Sequence, residues 1–89
     1  MNSEMDIGAY RLFLEQFVQE AVDQSDGTHT GILEHLHTIK ISGPFVRNKV
    51  EKQTALKEAI KAFEEHRHWP LEIVFSHLGV KIKKPGAPA

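Results

Sequence analysis

The chain has no cysteine among its 89 residues, which excludes disulfides, thiolate metal sites and a cysteine nucleophile together. It also lacks any apolar run near the roughly 20 residues needed to span a bilayer. Charge surplus is missing too: the formal net charge is −1 with histidines neutral, and the pI is about 6.6. Strong nucleic-acid binders usually carry a basic excess, so the overall balance weighs against a purely electrostatic hold on DNA or RNA. No glycine-rich phosphate loop occurs, and serine, histidine and acidic residues form no recognisable nucleophile set. Catalysis has no positive support, and no cofactor or metal is expected. The N-terminus, MNSEMDIGAY, is acidic and has no signal-peptide apolar region. The expected location is cytoplasmic.

What is present is ordinary globular composition, 40% hydrophobic and 26% charged. A chain this short builds one core, so a single domain over 1–82 is expected, with 83–89 as a disordered tail. A core of that size leaves a thin stability margin, for which self-association is a natural remedy. Charge is unevenly placed. Up to residue 26, Glu4, Asp6, Glu15, Glu20, Asp23 and Asp26 face one base, Arg11. Over 40–52, Lys40, Arg47, Lys49 and Lys52 stand against Glu51 alone.

The apolar spacing is helical throughout. From Asp6, a good N-cap, residues Ile7, Tyr10, Phe13, Leu14, Phe17, Val18 and Ala21 share one broad stripe, predicting a helix over 6–24. Ser25-Asp26-Gly27 ends it as a turn. Thr28 or Thr30 caps a second helix with Ile32, Leu33, Leu36 and Ile39 on one face. Pro70 opens a segment in which Leu71, Val74, Phe75 and Leu78 repeat at helical spacing, although a short strand fits VFSHL as well. Gly79 suits a left-handed stop. Val80-Lys81-Ile82-Lys83 alternates as a short extended segment packed through Val80 and Ile82 would. The expected fold class is all-α, a small bundle of four to five short helices around Phe13, Phe17, Leu36, Leu56, Ile60, Phe63 and Val74.

The stretch 41–66 is the hardest to place. At about 100° per residue, Ala55, Leu56, Ala59, Ile60 and Phe63 share a side that, extended backwards, takes in Lys49 and Lys52. Burying two ammonium groups is costly. The pattern therefore predicts a break, with a basic helix over 44–52 started by Ser42-Gly43-Pro44 and another helix from about Thr54.

Three constellations bear on function. Glu34–His37 and Glu65–His68 have the Glu-x-x-His spacing that resembles ferritin-like di-iron bundles. Their predicted outward direction argues against that chemistry, and surface histidines are expected instead. Helix 2, the Ile41-Ser42-Gly43 turn and the following Val46 and Val50 resemble a helix-turn-helix over 32–52. That resemblance implies a recognition helix offering Arg47, Asn48, Lys49 and Lys52 to DNA, with Lys40 nearby. Small-residue usage and spacing depart from the motif at His37. Finally, helix 1 carries an aromatic face of Tyr10, Phe13 and Phe17, and Trp69 sits at a corner, both suited to protein contacts. The leading expectation is a small non-enzymatic regulatory or adaptor protein, working through protein–protein contacts as a homodimer. A DNA-binding transcription regulator is the alternative.

Overall fold

Asp6 sets the start of the first helix. Its carboxylate accepts a hydrogen bond from the Ala9 backbone N–H at 3.2 Å, satisfying one of the donors that a helix start leaves open. The computed structural model describes residues 5–83. Within them, α1 runs Ile7–Gln24, α2 His29–Thr38, α3 Lys49–Glu65 and α4 Leu71–Leu78. Every regular element among the described residues is helical, as the sequence predicts.

The α1–α2 corner is a chain of short polar bonds. Gly27 takes φ 78°, and Asp26 accepts from both the Thr28 backbone N–H (3.0 Å) and its hydroxyl (2.6 Å). The same Thr28 oxygen accepts from the Gly31 N–H at 3.0 Å and so caps α2. These two donors, the hydroxyl first and the amide second, hold the Asp26 carboxyl below its usual pKa. A depressed carboxylate stabilises the fold above its ordinary titration range and stops doing so as pH falls through the lowered value. Thr28→Val should therefore raise the Asp26 pKa, read from its carboxyl carbon in an NMR titration. It should also cost about 1 kcal/mol through the lost cap. An Asp26 titration that does not move would refute the arrangement.

The predicted break at 52–54 does not exist. Helix α3 is continuous from Lys49 to Glu65, and Thr54 lies inside it. Pro44 and Phe45 form a turn, as do Arg47 and Asn48, so no basic helix occupies 44–52. The turn closes at Asn48, whose φ of 53° is left-handed, a region that asparagine tolerates better than most residues. The physical reason is orientation. The buried face of α3 is Glu51, Ala55, Ala59, Ala62 and Phe63, turned by about 60° from the predicted stripe. Leu56 and Ile60 become half-buried flanks, Lys49 is exposed, and Lys52 is half-buried with its ammonium 5.2 Å from the Phe13 ring centre. That placement suits the attraction of a cation to an aromatic face. The charge α3 does bury is Glu51, which accepts the Asp6 N–H at 2.8 Å and ties the start of α1 to α3.

Helix α1 packs along α3 and α2. The three buried alanines of α3 let the neighbouring backbone come close, and Phe63 fills the centre with Val18, Ile32, Leu36 and Val74, all fully buried. The Phe63 ring meets Phe75 edge-on at 6.2 Å and His29 at 5.2 Å. Of the predicted core, Leu36, Phe63 and Val74 are buried, while Phe13, Phe17, Leu56 and Ile60 pack on its rim.

The segment over 71–78 is helix, not strand. Gly79 (φ 73°) ends it with its own N–H on the Ser76 carbonyl and the Val80 N–H on the Phe75 carbonyl, a Schellman stop. Beyond it residues 80–83 form no regular element, with Val80 buried and Ile82 half-buried as the alternation predicts. Lys83 belongs to this docked segment rather than to a tail; the rest of the predicted tail, 84–89, lies outside the described residues.

Candidate interaction surfaces

The aromatic face of α1 is mostly spoken for. Tyr10, Phe13 and Phe17 are half-buried against the core, and Phe13 lies beneath the Lys52 ammonium of α3. Burial first, and then the Glu58 carboxylate, raises the Tyr10 pKa. Glu58→Gln should bring the phenol back toward its usual range, which a spectrophotometric titration of this single tyrosine reads directly. A Tyr10 titration that ignores Glu58 would disprove the electrostatic influence of that carboxylate.

Trp69 stays 38% exposed. Its indole stacks on the His66 ring at 3.6 Å and 11° and meets His77 nearly perpendicular at 5.6 Å. The three rings close the α3–α4 corner, and Trp69 is a lid with one open side. His66 also anchors α2 through its carbonyl, 3.1 Å from the His29 Nε2.

Of the other histidines, His37 and His68 are exposed and His35 is half-buried. His35 lies 3.0 Å from Glu20, and His37 lies 3.4 Å from Glu64, each pair spanning two helices. Glu34, His37, Glu65 and His68 are all exposed. Among the described residues no three histidine, aspartate or glutamate side chains gather as a metal-ligand set. No helix among them is long and apolar enough to cross a membrane.

The basic residues are divided between the α2–α3 connection, which holds Lys40 and Arg47, and the first turn of α3, which holds Lys49 and Lys52. Lys40, Arg47 and Lys49 are exposed, Asn48 is the turn residue before α3, and Lys52 leans on Phe13. The chain between α2 and α3 runs from 39 to 48, far longer than the three- or four-residue turn of a helix-turn-helix. The geometry that motif needs is not formed.

No known protein family, curated protein or solved structure matches the chain.

Its surface supplies what sequence reasoning missed. Phe45, on the α2–α3 connection, is 93% exposed, and Val50, at the start of α3, is 59% exposed. Ile41, Leu56 and Ile60, with Gln53 and Lys57, line an open groove of about 310 Å³. The Gln53 side chain holds the groove's wall by donating to the Ile41 carbonyl at 3.1 Å. The available signal was Phe45 itself, an aromatic residue between Gly43-Pro44 and Arg47-Asn48 with no periodic apolar partner. A helix assumed over 44–52 hid it.

Proposed function

We propose that this is a small non-enzymatic regulatory or adaptor protein of the cytoplasm, acting through protein–protein contacts as a homodimer. The observation that carries the reading is Phe45, an almost wholly exposed ring on the same chain as an apolar groove of side-chain size. A knob and a hole on one molecule are the ingredients of a two-fold pairing in which each copy fills the other. An aromatic anchor entering a dry pocket is also the usual centre of binding energy. Trp69 offers a second exposed aromatic at the α3–α4 corner.

Phe45 and a groove together bury less than a standard interface of about 1,600 Å², so the expected dimer is weak and concentration-dependent. Sedimentation over a wide concentration range tests it. The wild-type chain should move from monomer to dimer, and Phe45→Ser should raise the dissociation constant by about thirtyfold, the effect of losing roughly 2 kcal/mol. Because Phe45 touches little within its own chain, the variant should melt like the wild type. A strictly monomeric wild type, or a dimer indifferent to Phe45, refutes the reading.

A further inference from the structure

Helix α2 is tied to its neighbours by histidine. Among the described residues, every polar side-chain link from α2 to another helix or its end is made by an imidazole Nε2. His35 meets Glu20 of α1 at 3.0 Å, and His37 meets Glu64 of α3 at 3.4 Å. His29 meets the His66 carbonyl, at the end of α3, at 3.1 Å. The three links do not respond alike to protons. A carbonyl only accepts, so His29 donates its Nε2–H whether or not its ring is charged. A carboxylate instead gains an ion pair when the ring facing it takes up a proton.

We infer that α2 is a pH-sensitive element of the fold, gripped against α1 and α3 when His35 and His37 are protonated and freed to open locally when they are neutral. The charges around both rings set the sign. His35 shares a surface hollow with Asp26 and Glu34, besides its partner Glu20. His37 shares another with Glu34, Glu64, His29 and Arg67. Carboxylates outnumber the single guanidinium, and they stay ionised while imidazoles titrate; the Thr28 hydroxyl and amide hold the Asp26 carboxyl low in particular. Both histidines also lie in the last turn of α2, where the open carbonyls of a helix end favour positive charge.

The two ends of α2 are therefore held differently. Its start is fixed by the Thr28 cap and by His29, neither of which needs a proton. Its last turn is fixed by the two pairs that do. A helix of 10 residues does not persist without support from its neighbours, so weakening the last turn lets α2 fray from that end. A base that finds an anion only in the folded chain contributes while it is protonated. That contribution is lost as pH rises through the imidazole range, between about 5 and 8. Both pairs are partly exposed and each is weak alone. Acting on opposite sides of one helix end, they should together change its opening about fivefold.

Native-state hydrogen exchange of the full chain, compared at about pH 5.5 and about pH 8 and corrected for intrinsic rates, tests this. The Leu36 and His37 amides should open about fivefold less often at the acid pH, measured relative to Val18 of α1. His35→Gln with His37→Gln keeps an N–H donor on each side chain but takes up no proton, and should flatten that ratio. Glu20→Gln with Glu64→Gln should remove most of the difference while both imidazoles remain. Equal α2 protection at the two pH values, or a difference that survives in the histidine double variant, overturns the inference. So does a pH effect shared equally by α1 and α2, since that would belong to the whole fold. None of this rests on the pairing proposed for Phe45, which keeps its own test.

Discussion

Phe63→Ala should cost about 3–5 kcal/mol, the usual loss for deleting a buried aromatic ring. The ring is fully buried on α3 and packs edge-on against Phe75 of α4 and His29 of α2. Its removal leaves a cavity bordered by three helices, none of which can collapse into it without leaving the other two. A domain of this size commands roughly 5–10 kcal/mol in all, so the variant should lose from about a third of its stability to nearly all of it. Urea unfolding followed by far-ultraviolet circular dichroism measures this. A midpoint close to the wild type's would mean that Phe63 is not the centre of the core.

Ala59→Leu should also be damaging, for the opposite reason. Ala59 has no exposed surface and lies on the face that α3 turns to the rest of the bundle, between the equally buried Ala55 and Phe63. Leucine has almost the helix propensity of alanine, so any loss comes from volume. Three added carbons have no cavity to enter, and overpacking of this kind costs about 1–3 kcal/mol and occasionally more. Ala59→Gly should cost roughly 2 kcal/mol by the other route, about 1 through helix propensity and about 1 through the deleted buried methyl. If leucine left the stability unchanged, the close packing on this face of α3 would be wrong.

Both predictions concern α3, the element in which periodicity misled. The apolar residues Leu56 and Ile60 pull the predicted stripe toward themselves because size and hydropathy weigh more than fit in a helical wheel. The structure turns the buried face by about 60° toward Glu51 and Ala62, keeping Ala55, Ala59 and Phe63 and leaving Leu56 and Ile60 at the rim, because a small bundle gains from bringing helix axes close. Nothing local in KVEKQTALKEAIKAFEE says that a second helix will lie along its alanines. Nor does it say that the Asp6 N–H will come to Glu51, a partner 45 residues away. Once the face is turned, Lys49 and Lys52 need no burial and the reason for a break disappears.

The same displacement governs the candidate sites. The helix-turn-helix resemblance rested on a helix over 44–52, and the turns at Pro44–Phe45 and Arg47–Asn48 occupy that place. The aromatic residues of α1, legible as a stripe, could not be divided by sequence into those facing a partner and those facing α3. Burial divides them: Tyr10, Phe13 and Phe17 lean inward, and Phe45 does not.

By itself the sequence determined what depends on near neighbours along the chain. The Asp6 and Thr28 caps, the Gly27 turn, the Gly79 stop and the alternation of Val80 and Ile82 involve residues within about one helical turn of each other, where steric and hydrogen-bond preferences act directly. It also determined the all-helical class, since 3.6-residue periodicity recurs across most of its length. Tertiary structure alone decided which side of α3 is inside, that Glu51 rather than a lysine is buried, that Phe45 stands in solvent, and that Glu15 and Gln19 grip a segment more than 60 residues away. Those outcomes depend on how closely helices approach and on which polar groups find distant partners, energies that exist only once the chain has closed on itself.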